Sequence, residues 1–210
     1  MITIIDYGIG NLGSVVKAFE YLEIPVELTD NKEKIRKAEA VVLPGVGAFG
    51  EGMRNLRKDD LDKVIYEVVE KGVPFLGICL GLQLLFTSSE EDKDIEGLNL
   101  LKGKVEKFDK NKVGKIPHMG WNQVKLQKDD PLFNGFTRDR NFYFVHSYYV
   151  SPEEKEVILG KTDYGKKEFV SVIRNKNIWG IQCHPEKSSK IGLRVLENFK
   201  EIVRGDGNWK

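Results

Sequence analysis

The sequence is poor in cysteine and has no long hydrophobic run. Two cysteines among 210 residues are too few for a disulfide scaffold. No apolar segment approaches the roughly 18 residues of a membrane span. The N-terminus has no basic region ahead of an apolar stretch, which argues against a signal peptide. We therefore expect a cytoplasmic protein without a membrane partner.

An excess of charge of one sign is also missing. The 33 basic residues nearly balance the 32 acidic ones, for a net charge of +1. This balance argues against binding to nucleic acid through bulk electrostatics. No repeat, linker or low-complexity tract divides the sequence, whose length is about 1.4 times a typical domain. We expect residues 1–210 to form a single domain.

The hydrophobic pattern changes halfway along the chain. The first half alternates apolar strands with amphipathic helices, and the second half contains mainly strands before a closing helix. We predict strands at 2–5, 25–29, 40–43, 73–78, 104–108, 120–126, 141–150, 156–162, 168–174 and 178–184. We predict helices around 12–22, at 32–38, around 61–69, from about residue 80, and at 189–203. The acidic residues 88–94 are interpreted as a loop.

This order of elements predicts an α/β fold. It is typical of a mostly parallel central sheet with helices on both faces and an antiparallel extension. Such sheets bind ligands beyond the carboxyl ends of their strands. We therefore expect the chemistry to lie just after residues 5, 43 and 78.

Residues 77–81 read Gly-Ile-Cys-Leu-Gly between a predicted strand and a predicted helix. This is the cysteine form of the nucleophile elbow, in which small flanking residues let neighbouring backbone come close. The Cys79 thiol would project at a helix N-terminus, where the dipole and free N–H groups stabilise a thiolate. The alternative interpretation is a buried structural cysteine between two packing glycines.

A thiol nucleophile needs a base, and the sequence contains three histidines, His118, His146 and His184. His184 ends a predicted strand and begins the sequence His-Pro-Glu. Side chains two residues apart on an extended segment point the same way, so Glu186 would lie beside the imidazole and orient it. The alternative is a surface turn that closes the strand.

Cys183 is the competing thiol. On a strand its side chain points away from that of His184, so we expect a small core residue. A disulfide between Cys79 and Cys183 is disfavoured in the cytoplasm.

Residues 44–47 read Pro-Gly-Val-Gly directly after a predicted strand. A glycine-flanked turn at this place can present backbone N–H groups to an anion. Beside an acyl-transferring cysteine, that anion would be the tetrahedral oxyanion, with the N–H of Leu80 as a second donor. An ordinary tight turn is the alternative interpretation.

A second glycine-rich turn supports a different hypothesis. Residues 8–13 read Gly-Ile-Gly-Asn-Leu-Gly after a strand and before a helix, and Asp30 lies near the end of the next strand. This pattern fits the dinucleotide-binding fingerprint. A nucleotide-binding or regulatory module is therefore a rival, although it leaves the cysteine elbow and His-Pro-Glu unexplained.

Several segments together resemble class I glutamine amidotransferases: G-I-C-L-G-L-Q at 77–83, P-G-V-G at 44–47 and H-P-E at 184–186. Within that class, D-Y-G-I-G-N at 6–11, H-M-G-W-N at 118–122, V-H-S-Y at 145–148 and H-P-E-K-S at 184–188 are similar to the glutaminase subunits of imidazole glycerol phosphate synthase. The resemblance covers residue 2 to about residue 203 and implies a flavodoxin-like fold without cofactor or metal. Cys183 departs from it, because an aromatic residue usually precedes this histidine.

The resemblance implies an enzyme that hydrolyses glutamine through a cysteine thioester. Cys79 would be the nucleophile, His184 the proton shuttle and Glu186 its orienting carboxylate. The residues implied to hold the oxyanion are Leu80 and the loop residues Gly45, Val46 and Gly47. Those implied to bind glutamine, together with Gly47, are Gln83, His146, Ser147 and Tyr148, although the aromatic-rich strand could also be plain core.

The resemblance also implies a protein partner. Members of this family dock on a (β/α)₈ cyclase subunit, which uses the ammonia to make imidazole glycerol phosphate and AICAR in histidine biosynthesis. The residues implied to face the cyclase are Asn11, Met119, Trp121 and Lys187. The alternative is that Trp121 is a core aromatic and Lys187 a solvated charge. His118 is expected to be only a polar residue held near this surface.

Such subunits are commonly poor glutaminases alone. We expect the 44–47 loop to hold the wrong peptide orientation until the ligand of the partner shifts it, which Gly45 and Gly47 make easy. Two rival enzymes remain open. One is an amidotransferase subunit for anthranilate or aminodeoxychorismate synthesis, and the other is a stand-alone thiol hydrolase on the same scaffold.

Overall fold

The computed structural model describes residues 1–136 and 140–205. Its first half alternates strands and helices, as the pattern predicted. The elements are β1 (Ile2–Ile5), α1 (Leu12–Tyr21), β2 (Val26–Thr29), α2 (Lys32–Arg36), β3 (Ala40–Gly45), α3 (Phe49–Lys58), α4 (Leu61–Glu70), β4 (Phe75–Cys79) and α5 (Leu80–Leu84).

The second half is rich in strands and closes with the longest described helix. Its elements are β5 (Phe86–Ser89), β6 (Leu101–Lys107), α6 (Lys110–Val113), β7 (His118–Gln123), β8 (Lys125–Leu126), β9 (Asn141–His146), β10 (Tyr148–Pro152), β11 (Ile158–Tyr164), β12 (Lys167–Asn175), β13 (Ile178–Ile181) and α7 (Ser189–Arg204). Short 3₁₀ helices occupy Pro131–Phe133, Lys155–Val157 and Pro185–Lys187.

The main sheet has the strand order β2-β1-β3-β4-β13-β12-β10-β6-β5, with β11 and β8 continuing from β12. The strands from β2 to β13 are parallel, and β12, β10 and β6 form the antiparallel extension. Apolar side chains bury both faces: Val42 and Leu76 pack in the cluster that includes α1 and α7, whereas Val41 and Phe75 pack in the one that includes α3 and α4. The predicted α/β architecture is therefore confirmed.

The third strand does not end where the sequence predicted. β3 continues through Pro44 and Gly45, which pair with Ile78 and Cys79 of β4. Proline is tolerated here because β1 pairs with β3 only as far as Val42, so Pro44 has no neighbouring strand on that side. The extra pairs hold the 44–47 loop directly beside Cys79.

Other boundaries differ for reasons of tertiary packing. The helix α3 was not predicted, and the helix after Cys79 ends at Leu84 and is followed by β5, within a stretch interpreted as helix and loop. The predicted strand 141–150 divides at Ser147, since β9 pairs with β7 and β10 joins the main sheet. Likewise, 120–126 divides into β7 and β8, and the last strand ends at Ile181 instead of His184. No described helix is both long and apolar enough to cross a membrane.

Candidate active site

The strand β4 passes into α5 through a strained turn at Cys79. This residue has φ 54° and ψ −106°, a conformation rarely adopted by residues other than glycine. The flanking glycines are required by contact: a Cβ on Gly81 would lie 1.8 Å from the Leu43 carbonyl oxygen, and one on Gly77 would lie 2.8 Å from the Gly81 oxygen. The turn thus has the form of a nucleophile elbow.

His184 and Glu186 form a buried pair next to this turn. The His184 Nδ1–H donates to Glu186 Oε1 at 2.8 Å, and both side chains are almost inaccessible. The contact is made in a different way from the prediction, because Pro185–Lys187 is a 3₁₀ helix and not an extended segment. The side-chain spacing of two residues survives because His184 itself is extended.

The imidazole of His184 is strongly influenced by its neighbours. Burial alone would lower the pKa of His184, but Cys79 and Glu186 outweigh this effect and raise the pKa to about 10. The buried Nε2 atom makes no hydrogen bond of ordinary geometry within the described residues, although the Cys79 thiol is close enough to interact with the ring.

A cavity of about 330 Å³ opens beside Cys79. It brings together most of the residues that the sequence assigned to the oxyanion and to glutamine. Its lining consists of Val46, Gly47, Cys79, Leu80, Gln83, Glu91, Pro117, Val145, His146, Ser147 and Tyr148. Gly45 does not line this cavity; it borders a smaller one that also touches Asn11, His184 and Glu186.

Three residues near the site were missed from the sequence. Glu91 lines the cavity and its Oε2 accepts from the Phe49 N–H at 2.8 Å. Gln182 is fully buried and its Nε2 lies 3.6 Å from the Cys79 sulfur. Tyr7 donates its hydroxyl to the Pro44 carbonyl at 2.8 Å and so holds the start of the 44–47 loop.

The sequence signals for these residues differ in strength. Glu91 lies in the acidic stretch taken for a loop, where nothing distinguishes it from its neighbours. Gln182 follows the apolar strand β13 and precedes Cys183, and a glutamine in such a position needs buried partners. This position next to an apolar strand was the sequence signal that could have identified Gln182 as a site residue.

His146 and His118 form a buried chain behind the cavity. Asn122 Nδ2 donates to His118 Nε2 at 3.1 Å, His118 Nδ1 donates to His146 Nε2 at 2.9 Å, and His146 Nδ1 donates to the Tyr148 carbonyl at 2.7 Å. The directions follow because an amide nitrogen can only donate and a carbonyl can only accept. His118 is therefore a buried polar residue, next to the exposed Met119 on β7.

The rings surrounding this chain keep it neutral. Burial lowers the pKa of His118 to about 4. Burial also lowers the pKa of His146 to about 3, against the smaller opposing effect of the bond to Tyr148. His118 stacks between Phe144 and Tyr164, and its desolvation has no compensating carboxylate within residues 1–136 and 140–205.

The residues assigned to a partner surface are exposed. Met119 and Trp121 on β7 are 58% and 56% exposed, which excludes the alternative of Trp121 as core. Trp121 contacts the Tyr143 ring, with centroids 6.2 Å apart. The Tyr143 carbonyl in turn accepts from the His184 N–H at 2.9 Å. Asn11 and Lys187 are also exposed.

The second thiol is isolated from the cavity. Cys183 is buried, and burial raises the pKa of its thiol well above the usual range. Both cysteines are free thiols. Cys183 is thus the small core residue that was expected, although it lies beyond the end of β13 and not on a strand.

Comparison with known proteins agrees with this geometry. Residues 3–202 match the family model described as glutamine amidotransferase class I. The chain belongs to the class I glutamine amidotransferases. A solved glutamine amidotransferase has a TM-score of 0.76 at 17% identity, covering 97% of this chain and all of the other. PurLQS from Thermotoga maritima gives 0.75 at 19% identity, covering 96% and 98%. At these identities the two structures show the amidotransferase fold.

Relatives of much higher identity carry a more specific name. A protein of Moorella thermoacetica is 54% identical over 99% of this chain and 97% of its own length. One from Methanocaldococcus jannaschii is 52% identical over 97% and 100%, and one from Aquifex aeolicus is 50% identical over 94% of each. All three are called imidazole glycerol phosphate synthase subunit HisH. The glycine-rich turn at 8–13 lies within the residues that match the amidotransferase model.

Proposed function

We propose that this amidotransferase is the glutaminase subunit of imidazole glycerol phosphate synthase and supplies ammonia to a (β/α)₈ cyclase subunit. The arrangement of Cys79, His184 and Glu186, with Cys79 lining a cavity of about 330 Å³, carries the proposal. The name shared by relatives of 50–54% identity supports this pathway over anthranilate or aminodeoxychorismate synthesis.

The first half of the reaction forms a thioester. The Cys79 thiolate attacks the carboxamide carbon of glutamine, and the carbonyl electrons move to the oxygen. The Leu80 N–H and an N–H of the 45–47 loop would stabilise this oxyanion. When the intermediate collapses, the C–N bond breaks and the nitrogen takes the proton of His184 Nε2, leaving as ammonia.

The second half releases glutamate. The neutral His184 removes a proton from water, whose oxygen attacks the thioester carbon. The C–S bond then breaks and sulfur leaves as a thiolate, which restores the pair with the protonated imidazole. Glu186 keeps the Nδ1 proton in place during both steps, so that Nε2 is the atom that exchanges protons.

Recognition of the amino-acid end of glutamine is assigned to the far side of the cavity. Glu91 would supply a negative charge for the α-ammonium group, and Gln83, His146, Ser147 and Tyr148 line the same cavity. A Glu91→Gln variant should raise KM for glutamine about tenfold or more with a smaller change in kcat, because the charge pair acts on binding. An unchanged KM would remove Glu91 from this role.

The cyclase is proposed to cover the surface of Asn11, Met119, Trp121 and Lys187. Exposed tryptophan and methionine are typical of interface centres. The contact of Trp121 with Tyr143, which bonds the His184 backbone, gives this surface a short route to the catalytic pair. A Trp121→Ala variant should weaken association with the cyclase, measured by titration.

The 44–47 loop is proposed to need the partner for full activity. Tyr7 fixes the Pro44 carbonyl, so a change of peptide orientation would fall on Gly45, Val46 and Gly47. Glutamine hydrolysis should increase when the cyclase and its ligand are added to the subunit. Full hydrolysis by the isolated subunit would favour the stand-alone hydrolase.

The decisive experiment uses the complex with two nitrogen sources. A Cys79→Ala variant should abolish glutamine-dependent synthesis by the complex and preserve synthesis from added ammonia. Loss of both activities would mean that Cys79 is structural.

The remaining expectations concern the setting of the enzyme. We propose that residues 1–210 act as one amidotransferase domain in a heterodimer, in the cytoplasm, without a nucleic-acid or membrane partner. The near-zero net charge and the biosynthetic relatives support this setting. Size-exclusion chromatography of the mixed subunits should give a 1:1 complex, and other stoichiometries would contradict the heterodimer.

A further inference from the structure

Gln182 is a buried polar residue that the proposed mechanism does not use. It lies between β13 and His184, and it is fully inaccessible to solvent. Its Nε2 atom lies 3.6 Å from the Cys79 sulfur, within the distance of a hydrogen bond to sulfur. Because burial of an amide is costly without partners, its partners define what it can do.

The orientation of this amide is fixed by two neighbours. The Tyr148 carbonyl can only accept, so the Gln83 atom that faces it at 3.2 Å is the Nε2 donor. The same Nε2 lies 3.1 Å from Gln182, which must present its Oε1 acceptor. The Gln182 Nε2 donor is therefore directed at the sulfur of Cys79.

The sulfur interacts with the His184 cation, and its other neighbours add little support. The helix α5 contains only five residues, so its dipole is weaker than the sequence led us to expect. The Tyr7 hydroxyl donates to the Pro44 carbonyl and is engaged there. His184 Nε2 makes no hydrogen bond of ordinary geometry among the described residues. A fixed donor beside a forming thiolate would thus have a large effect, since bonds to charged groups are the stronger ones.

We propose that the Gln182 amide is a positioning donor that stabilises the Cys79 thiolate, both as nucleophile and as the leaving group of the thioester. The inference deepens the proposed function and rests on it for the meaning of the thiolate. Gln83 takes a second role here, because it holds the Gln182 oxygen while lining the glutamine cavity.

The ionisation of the Cys79 thiol can be followed against pH because several titratable groups near it keep a fixed protonation state near neutral pH. Burial raises the pKa of Tyr7 and of Cys183, so both stay protonated near neutral pH. Burial keeps His146 neutral, and His184 is the cation that interacts with the thiol. Among the described residues, the titratable groups around the sulfur or its cavity are Tyr7, Glu91, His146, Tyr148, Cys183, His184 and Glu186.

The experiment measures the rate of alkylation of Cys79 by iodoacetamide against pH in the full chain, with the modified peptide identified by mass. Gln182→Met keeps the length of the side chain and removes the donor. We expect the midpoint of the rate profile to move up by about one pH unit, equivalent to a tenfold loss of thiolate at a given pH below it. Gln182→Glu should move it further, because a carboxylate accepts from Gln83 but offers the sulfur negative charge.

A matched control removes a buried amide far from the site. Asn198 donates to the Leu132 and Asn134 carbonyls at 3.0 Å each, so Asn198→Leu loses equivalent bonds elsewhere. This variant should keep the wild-type midpoint even if it is less stable. An unchanged midpoint in folded Gln182→Met would overturn the proposal, and so would an equal shift in Asn198→Leu.

The wild-type chain provides a second measurement, should the Gln182 variants fail to fold. The side-chain amide signals of Gln182 in a ¹⁵N spectrum should titrate with the same midpoint as Cys79 alkylation and stop titrating in Cys79→Ala. Signals that do not respond to pH in the wild type would reject the contact.

Steady-state kinetics of glutamine hydrolysis test the role of Gln182 independently of alkylation. Gln182→Met should lower kcat for glutamine hydrolysis by the complex about tenfold, with KM within about threefold. Alkylation requires neither glutamine nor the cyclase, so failure of the glutamine assignment would leave the pH shift intact. Failure of the Gln182 contact would in turn leave the dependence on Cys79 intact.

Discussion

The three buried histidines form two groups near Cys79 with opposite protonation behaviour: His184 interacts with the thiol, and His146, which bonds to His118, lines the cavity beside it. His184 faces Glu186 and Cys79, and its pKa is raised to about 10. His118 and His146 face each other, a carbonyl and aromatic rings, and their pKa values are lowered to about 4 and about 3. Burial is common to both groups, so it does not decide the charge. The partners of the ring nitrogens do.

The difference in hydrogen-bond partners assigns proton transfer to His184 and a positioning role to His118 and His146. An imidazole paired with a carboxylate and a thiol can exchange its Nε2 proton, whereas the His118–His146 chain has both nitrogens engaged in a fixed direction. The neutral chain is linked to Cys79 through the Tyr148 carbonyl, which accepts from His146 and also from Gln83. Gln83 in turn holds Gln182, whose amide faces the Cys79 sulfur. The neutral chain therefore positions the wall of the site in which the charged pair acts.

The largest expected effect comes from removing the exchangeable nitrogen. His184→Asn keeps an amide donor near the position of Nδ1 and deletes Nε2. Glutamine-dependent synthesis by the complex should fall about 10³- to 10⁴-fold, since general acid–base catalysis is lost in both half-reactions. Ammonia-dependent synthesis should stay at the wild-type rate, measured in the same preparation.

His118→Gln is the matched control in the neutral chain. It removes an imidazole of similar burial, and we expect glutamine-dependent synthesis to fall less than tenfold. A loss as large as that of His184→Asn would show that His118 and His146 take part in proton transfer. The distinction between them and His184 would then be wrong.

Glu186→Gln should have a smaller effect, with a change in pH dependence. Without the carboxylate, the pKa of His184 falls, so the imidazolium needed to protonate the leaving nitrogen of the intermediate is lost at lower pH. The alkaline limb of the rate profile for glutamine hydrolysis should move to lower pH, and kcat should fall about 10²-fold. An alkaline limb in the wild-type position would mean that Glu186 does not set the charge of His184.

The sequence predicted the parts of this site that local geometry controls. The elbow at Cys79 depends on two glycines in contact with backbone, and His184 and Glu186 are two residues apart, so both are visible as short motifs. The hydrophobic pattern of the sequence also predicted the alternating strands and helices of the first half.

The sequence could not predict what depends on distant segments. Gln182 and Gln83 are 99 positions apart, and Glu91 reaches the cavity only because β5 places it there. The strand 141–150 divides because its halves join different sheets, which alternation of side chains does not reveal. The protonation of the three histidines was equally hidden, since it is decided by partners from other elements.

The contributions of His118 and His184 to the free energy of unfolding change with pH in opposite directions. His118 has a folded-state pKa of about 4 against an ordinary 6.5, so the unfolded state binds the extra proton between these values. Its contribution to stability is complete above pH 6.5 and is lost as the pH falls toward 4. His184, with a raised pKa, contributes fully below pH 6.5 and loses this as the pH rises through about 10.

Urea unfolding at pH 7.5 and pH 5 measures the His118 contribution. The 1.5 pH units between 6.5 and 5 correspond to roughly 2 kcal/mol for one imidazole that stays neutral. The wild type should therefore lose about 2 kcal/mol more than His118→Gln over this range. Equal losses in the two proteins would mean that His118 is protonated in the folded state at pH 5.

The smallest effect is expected at the second thiol, where the same rule applies to cysteine. Cys183 is buried without a cationic neighbour that shifts it toward the thiolate, and burial raises its pKa. Cys183→Ala should cost about 1 kcal/mol of unfolding free energy, through loss of a small buried side chain, and leave kcat within about twofold. At neutral pH iodoacetamide should modify Cys79 and leave Cys183 unmodified in a peptide map. Modification of Cys183 at a comparable rate would show that burial does not keep this thiol protonated and unreactive. The conclusion drawn from the histidines, that a buried group without a charged partner stays neutral, would then not extend to cysteine.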